Sequence, residues 1–214
     1  MILALETSTT RASLALWNEE ERRPVWVSSF TTDRSHNSVI FQPVEEALER
    51  CSRKLDAVAV GLGPGSYSGV RVGIAVANGL ALSLGVRTIG VSSLEAYLPD
   101  SGNYLVVGDA RRNTGYIARI RDGKSCGEPE LIENERLQKE LERVMSDGVR
   151  AVTPDSKIAD QFERVEQAHP EAEAIAKRAA EMLGGEGCEE LSPTLEPCYL
   201  RPPFITIPKV RKRA

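Results

Sequence analysis

Blocks of apolar residues open the chain and predict a three-stranded meander. Met1–Glu6 is apolar up to its final acid, as expected of a buried strand, and Ser13–Trp17 is a second such run. The turn between them, Thr7–Arg11, is rich in hydroxyl groups. Val25–Phe30 predicts the third strand, so the chain begins with a hairpin whose first strand ends in a carboxylate.

The spacing of apolar residues then becomes helical. Apolar side chains recur at intervals of three and four after Ser35, which we expect to cap a helix. These residues are Val39, Ile40, Val44, Ala47 and Leu48. Pro43 falls inside this segment. Because proline lacks an N–H and its ring crowds the preceding turn, we expect a bend there.

A glycine-rich loop lies between a buried strand and a long helix. Asp56–Gly61 predicts the strand, Gly61–Gly69 forms the loop, and the helix continues up to Gly85, which is a typical helix stop. Its apolar face comprises Val70, Ile74, Ala77, Leu80, Ala81 and Leu84. A strand over Val86–Gly90 and a short helix over Ser92–Leu98 are predicted to follow.

The second half of the chain repeats the opening pattern. Tyr104–Asp109 is an apolar strand that ends in an acid, and Gly115–Ile120 predicts a second strand, so Glu6 and Asp109 occupy the same place in two hairpins. Helical, strand-like and helical patterns follow at Arg136–Met145, Val149–Thr153 and Glu171–Leu183. Both halves therefore predict an α/β fold with an internal duplication and a break at Pro99–Gly102.

Composition and charge narrow the class of protein. Of the 214 residues, 41% are hydrophobic and 27% are charged, which is ordinary for a globular protein. The longest stretch without a charge, Val72–Val86, is too short to span a bilayer. Met1–Leu5 leads into Glu6 without a basic segment, so we expect no signal peptide, no membrane contact and a cytoplasmic location.

The basic residues are concentrated at the end of the chain. The net charge is −4, and four basic residues lie among the last six positions: Lys209, Arg211, Lys212 and Arg213. Because the rest of the chain is more acidic still, we expect the protein alone to bind RNA weakly, with any such binding carried by the tail.

Few residues are arranged for catalysis. The two histidines, His36 and His169, have no second histidine three or four residues away, and the four cysteines form no C-x-x-C pair, so no zinc site is encoded. The glycine loop lacks the Gly-Lys-Ser/Thr end of a phosphate-binding loop, which favours tight packing as its role. The candidate group for contacting a phosphate or a magnesium ion is Glu6, Thr7, Ser8 and Thr9.

Several motifs together resemble the TsaB (YeaZ) family, whose members are shortened relatives of the TsaD catalytic subunit. The motifs are Leu5–Ser8, Arg34–His36, Gly61–Arg71, Asp109–Arg112 and Tyr199–Arg201. The resemblance implies two lobes of mixed sheet and helices with the ASKHA fold of actin, hexokinase and Hsp70. It implies a first lobe over residues 1–98, a reduced second lobe over 103–207 and a basic tail over 208–214.

The resemblance also implies a function. TsaD transfers threonylcarbamoyl to a tRNA adenosine, and TsaB is a required, non-catalytic subunit beside TsaD and the ATPase TsaE. A homodimer in the absence of TsaD is implied, with tRNA contact only through the complex. No cofactor of its own is implied, apart from ATP or ADP with magnesium at the junction with TsaD. The alternative is a small ASKHA-type kinase or hydrolase that acts alone, although the second half has no Asp-Gly-Gly phosphate motif.

Two helices are the expected interface. Their small and apolar residues exceed what one small lobe needs, so we expect them to pair with helices of a partner. The expected interface residues are Val39, Ile40, Val44, Leu48, Val70, Gly73, Ile74, Ala77 and Leu80.

Overall fold

Two β-sheets, one from each half of the chain, form the framework of the molecule. The computed structural model describes residues 1–31, 37–98, 101–145, 149–185 and 195–201. The Arg34–His36 motif with the expected cap Ser35, the Pro99–Asp100 part of the break, Cys188 and the basic tail lie outside the described residues.

The first sheet has five strands in the order β3-β2-β1-β4-β5. The strands are β1 (Ile2–Glu6), β2 (Arg11–Asn18), β3 (Arg23–Thr31), β4 (Ala57–Gly61) and β5 (Arg87–Val91). Strand β1 pairs antiparallel with β2 and parallel with β4. Every residue of β1 and β4 is buried, because both strands lie inside the sheet and are covered on both faces. Their sequences are therefore unbroken apolar runs.

Helices from both halves of the chain cover this sheet. A 3-10 turn (Asn37–Ile40), α1 (Phe41–Arg50) and α2 (Tyr67–Leu84) share one apolar core with one face of the sheet. Helix α5 (Ala172–Leu183) packs on the opposite face. By sequence, α5 belongs to the stretch 103–207 that was assigned to the second lobe. The lobe boundaries stay a prediction, but the last helix packs on the first sheet.

The two helices α1 and α2 differ from their predictions at their beginnings. Helix α1 begins only at Phe41, so Pro43 lies in its first turn. Backbone N–H groups of the first turn have no acceptor within the helix, so the missing N–H of proline breaks no helical hydrogen bond there. The helical segment therefore changes from 3-10 to α-helix before Phe41, and this change replaces the bend that was expected at Pro43. Helix α2 begins at Tyr67, where the Ser66 hydroxyl accepts from a backbone N–H, and ends at Gly85 in the left-handed conformation (φ 68°) as predicted.

The second sheet has the same plan as the first. Its order is β11-β10-β6-β7-β8, with β9 also paired to β7. The strands are β6 (Tyr104–Asp109), β7 (Thr114–Arg121), β8 (Lys124–Ser125), β9 (Glu130–Glu133), β10 (Arg150–Thr153) and β11 (Val165–Gln167), with helices α3 (Asn134–Val144) and α4 (Ser156–Gln161). Strand β6 is antiparallel to β7 and parallel to β10, as β1 is to β2 and β4. The predicted fold of two mixed α/β lobes is confirmed.

Helix α2 has two apolar sides. Within the described residues, it is long and apolar enough to cross a bilayer by length and composition alone, a test that core helices of soluble proteins also pass. Five of its residues are buried against the first sheet: Val70, Gly73, Ile74, Ala77 and Ala81. The chain itself leaves the opposite side, which includes Tyr67 and Leu82, exposed.

Candidate functional site

The tip of the first hairpin packs directly against the glycine-rich loop. The N–H of Ser66 donates to the carbonyl oxygen of Ser8 (2.6 Å), and the hydroxyl of Thr7 donates to the carbonyl oxygen of Gly69 (2.8 Å). A Cβ added at Gly65 would lie 2.8 Å from the Cβ of Ser8, closer than side chains can approach. Glycine is therefore needed in the loop so that two backbones can meet, as the packing interpretation predicts.

Glu6 is buried, and its carboxylate is used inside the chain. The N–H of Ser8 donates to Oε1 and the hydroxyl of Ser93 donates to Oε2, each at 2.7 Å. The same hydroxyl accepts from the N–H of Gly63 at 3.0 Å. Burial raises the pKa of the Glu6 carboxyl, and the hydrogen bonds from Ser8 and Ser93 oppose part of that rise. Ser93, which no sequence motif marks, thus joins the hairpin to the glycine loop.

The four candidate residues for a phosphate or magnesium contact are not equally placed. Glu6, Thr7 and Ser8 are all buried, and of the four residues only Ser8 and the half-buried Thr9 line the nearest cavity. Because Glu6 is fully buried and does not line the cavity, a magnesium ion in the cavity could not reach its carboxylate. The Glu6 carboxylate therefore does not fit a metal ligand in this conformation.

A cavity of about 760 Å³ separates the tips of the two hairpins. Asp109, the counterpart of Glu6 in the second hairpin, lines this cavity and is partly exposed. Its carboxylate accepts the N–H of Arg111 at 2.7 Å and lies 3.7 Å from the Arg111 guanidinium. The duplicated acids thus have different environments, since one is buried within the chain and the other faces the space between the lobes.

Two tyrosines form an uncharged part of the cavity wall. Burial raises the pKa of both Tyr97 and Tyr116 well above the usual value, so both hydroxyls stay neutral at physiological pH. The ring of Tyr116 lies over Gly108, where an added Cβ would overlap the ring. These hydroxyls can exchange hydrogen bonds with a polar group, but they cannot act as anionic bases.

His169 contacts the first hairpin, and within the described part of the chain no group of metal ligands surrounds it. Its Nδ1 lies 3.1 Å from the hydroxyl oxygen of Thr9. That hydroxyl also lies 2.9 Å from the carbonyl oxygen of Arg11, to which it donates, and it can accept from a protonated Nδ1. Burial lowers the pKa of His169, which favours the neutral ring. The residue thus fits a structural role.

Clustered metal ligands are not found in the part of the chain that the structure describes. Among residues 1–31, 37–98, 101–145, 149–185 and 195–201, no three His, Cys, Asp or Glu side chains are grouped to hold an ion. In the same ranges Cys51, Cys126 and Cys198 are free thiols.

The residues expected to form the interface turn mostly toward the core of the chain. Val39 is exposed and Leu80 is half-buried. The buried ones are Ile40, Val44, Leu48, Val70, Gly73, Ile74 and Ala77. They pack against the first sheet, so a partner cannot reach them, and the interface prediction requires correction. Periodicity marks the most apolar face of a helix, and here the chain's own sheet takes that face.

The outward side of the same two helices carries large apolar side chains instead. Phe41 is 61% exposed, Tyr67 55% and Leu82 87%. Together with Val39, they account for half of the large hydrophobic side chains that are exposed in the described residues. Large apolar side chains that are left in water on one side of the fold favour an interaction site there. We call the side that carries Val39, Phe41, Tyr67 and Leu82 the outer helix face.

The buried carboxyl of Glu6 leads to a pH-dependent prediction. The pKa of the Glu6 carboxyl is raised in the folded state above its unfolded value of about 4.5. The stability that this group contributes is therefore fully present below pH 4.5 and is lost as the pH rises through the folded pKa. Replacing Glu6 with glutamine keeps the shape and removes the titration. We therefore expect the free energy of unfolding of Glu6→Gln to increase relative to the original protein as the pH rises above about 4.5. Urea unfolding at several pH values measures this difference.

A surface glutamate provides the control for that measurement. The pKa of Glu166 is lowered by its hydrogen bond from Arg150, so the effect of Glu166→Gln should have the opposite sign and be small. A difference between Glu6→Gln and the original protein that stays constant with pH would show that burial does not perturb Glu6.

Comparison with known proteins identifies the family to which the chain belongs. The family model described as TsaD: tRNA N6-adenosine threonylcarbamoyltransferase matches residues 30–145, more than half of the chain. The protein named tRNA threonylcarbamoyladenosine biosynthesis protein TsaB is 34% identical over 128 residues in Haemophilus influenzae. Its Escherichia coli namesake is 41% identical over 96 residues. The solved structure of YeaZ from Pseudomonas aeruginosa superposes with a TM-score of 0.70 at 25% identity.

Coverage differs between the sequence and structure comparisons. The Haemophilus alignment covers 56% of this chain and 53% of that relative, and the Escherichia coli alignment covers 44% and 40%. The chain therefore matches about half the length of these curated relatives. The Pseudomonas structure, in contrast, is matched over 92% of this chain and 98% of its own, so the two-lobed fold is shared throughout.

Proposed function

The chain belongs to the TsaD family, and we propose that it serves there as a non-catalytic subunit in the formation of threonylcarbamoyladenosine in tRNA. Within that family the chain is of the TsaB (YeaZ) type, because its relatives in Haemophilus influenzae, Escherichia coli and Bacillus subtilis carry the name TsaB. The names of those relatives support a role in the same tRNA modification. The non-catalytic assignment goes beyond the names and rests on the features of this chain.

The outer helix face is the observation that carries the proposal. Helix α2 has five buried positions among its 18 residues and leaves its opposite side to solvent, where Leu82 is 87% exposed. Removing a leucine side chain of this kind from water is worth about 1.5–3 kcal/mol. An exposed apolar helix pair fits a partner that presents helices of its own, which supports a TsaD-type catalytic subunit as the partner.

The placement of the candidate catalytic groups supports a role without chemistry. Glu6 is held by Ser8 and Ser93 and does not reach the cavity. The tyrosine hydroxyls of the wall are neutral. Asp109 is paired with Arg111. A transfer reaction needs a positioned base or a metal with a charge clamp on the phosphates, and we propose that TsaD supplies them.

The remaining assignments complete the proposal. We propose that the ATPase TsaE joins the complex, that tRNA is bound only through the complex, that the site of action is the cytoplasm and that two copies pair when TsaD is absent. Any ATP or ADP with magnesium at the junction would meet Ser8 and Thr9, the two candidates that line the cavity, and not Glu6.

Reconstitution with one component omitted at a time tests the proposed function. Purified TsaD and TsaE from the same organism, a threonylcarbamoyl-adenylate source and tRNA should give transfer only when this chain is present, because it completes the assembly. The chain alone should neither transfer the group nor hydrolyse ATP above background. ATP turnover or transfer by the isolated chain would instead identify it as an autonomous kinase or hydrolase. Undiminished transfer without the chain would also overturn the proposal.

A further inference from the structure

An exposed arginine at the beginning of α2 is held between two tyrosines. The guanidinium carbon of Arg71 lies 4.3 Å from the ring centre of Tyr67, and its Nε donates to the hydroxyl of Tyr199 at 2.8 Å. The two rings stack with centres 5.6 Å apart and an angle of 26° between their planes. Tyr199 reaches this place from 128 positions along the chain. We call this group the arginine cluster.

The segment that carries Tyr199 is fixed by contacts with both lobes. The N–H of Cys198 donates to the carbonyl oxygen of Leu62 at 2.7 Å. Leu195 packs at the edge of the core beneath α1 and α2, and Leu200 packs on the core between the lobes. Contacts on both sides of Tyr199 therefore hold its ring against the helix, and the arginine cluster does not depend on one stacking contact.

The arginine cluster presents donors that have no acceptor among the described residues. A guanidinium has five N–H groups, and Tyr199 takes one of them from Arg71. Within the described residues, no carboxylate forms an ion pair with Arg71 and no acceptor binds its terminal nitrogens. The hydrogen bond to Tyr199 raises the pKa of Arg71, so the side chain stays charged.

The position of the arginine cluster indicates what it binds. Tyr67, Arg71, Ala75, Asn78 and Leu82 follow one another at intervals of three and four residues, so they share one side of α2. All five are exposed. The cluster thus lies where the N-terminal end of the outer helix face meets the cavity, which Tyr67 and Tyr199 also line. Tyrosine and arginine are the residue types that most often dominate the binding energy of protein interfaces.

We infer that the arginine cluster is a preformed anchor for a carboxylate side chain of the protein partner that docks on α2. The inference rests on the proposed function, because it assigns a contact within the same interface. The planar fork of arginine matches a carboxylate with two parallel hydrogen bonds. Because stacking already orders the long side chain, less conformational entropy is lost when the partner binds. The segment around Tyr199 becomes part of the interface through this contact.

A carboxylate fits the surroundings better than a phosphate of RNA. Ala75 and Leu82 continue the same side of the helix with apolar side chains, which suit a protein surface. The chain as a whole has a net charge of −4, which repels a polyanion. The observations therefore favour an aspartate or glutamate on a helical partner.

Calorimetry of complex formation with the TsaD-type subunit from the same organism tests the inference. Arg71→Ala should weaken binding at least about 10-fold, and Arg71→Lys should lose most of that affinity because an ammonium lacks the fork and the stacking. Tyr199→Phe keeps the ring and removes the hydroxyl, so it should weaken binding about 3-fold. Arg121→Ala, which removes an exposed arginine from the second lobe, should bind like the original protein.

Salt and RNA measurements separate the possible outcomes. The difference between the original protein and Arg71→Ala should shrink in 0.5 M NaCl, because an exposed ion pair is screened. Unchanged binding by Arg71→Ala would overturn the inference, and if Leu82→Glu still abolished binding, the proposed function would stand without it. Weaker tRNA binding by the Arg71→Ala complex, with partner affinity unchanged, would assign the arginine to a phosphate and also overturn it.

Discussion

Replacing Leu82 with glutamate should weaken binding to the TsaD-type subunit at least about 100-fold while the folded chain keeps its stability. The side chain is 87% exposed, so the substitution removes almost no contact inside the chain and should change the free energy of unfolding by no more than about 0.5 kcal/mol. In the complex, the new carboxylate would be buried among apolar groups without a partner, which costs several kcal/mol. Threonylcarbamoyl transfer in the reconstituted system should fall in parallel.

A second exposed leucine provides the matched control. Leu131 lies on β9 in the second lobe and is 41% exposed, and Leu131→Glu introduces the same charge away from the outer helix face. Analytical ultracentrifugation of each variant with the partner distinguishes the two sites. Equal affinity of Leu82→Glu and Leu131→Glu for the partner would remove the outer helix face from the interface. A homodimer that uses the same face should also dissociate in Leu82→Glu alone.

The sequence predicts the framework well because its central strands are buried on both faces. The side chains of an apolar run such as Met1–Glu6 are removed from water only when the strand lies inside a sheet that is covered on both faces. Gly85 ends its helix in a left-handed conformation that glycine adopts without strain. Short edge elements give no such signal. In β8 (Lys124–Ser125) and β11 (Val165–Gln167), most residues are polar and at least partly exposed, so no apolar pattern predicts them.

The candidate site was less predictable because its contacts join distant parts of the chain. The pairs Glu6 with Ser93 and Arg71 with Tyr199 are 87 and 128 residues apart. Periodicity ranks residues along one helix, so it selected Ile74 and Ala77 for the interface, although these side chains fill the chain's own core. Only the arrangement of α2 on the sheet shows that its outward residues, such as Leu82, remain for a partner.

Replacing Gly61 with alanine should cost about 3 kcal/mol or more of folding free energy. An added Cβ would overlap Oε2 of Glu6, and it would lie 2.8 Å from the Glu6 Cδ and 2.6 Å from the hydroxyl oxygen of Ser93. None of these atoms can move aside freely, because Glu6 and Ser93 are fully buried and the Ser93 hydroxyl donates a hydrogen bond to the Glu6 carboxylate. Overpacking and a broken buried hydrogen bond therefore add together. Urea unfolding measures the loss.

A matched glycine and a double-mutant cycle identify the cause of that loss. Gly79 lies within α2, and beyond its own helix backbone no atom of the described residues lies within 4 Å of an added Cβ, so Gly79→Ala should instead stabilise the fold by about 0.5–1 kcal/mol. If the carboxylate is the obstacle, Gly61→Ala should cost at least about 1 kcal/mol less in a Glu6→Ala background than in the original protein, because neighbouring residues couple. An equal cost in both backgrounds would show that the backbone at Gly61, and not the contact with Glu6, requires glycine.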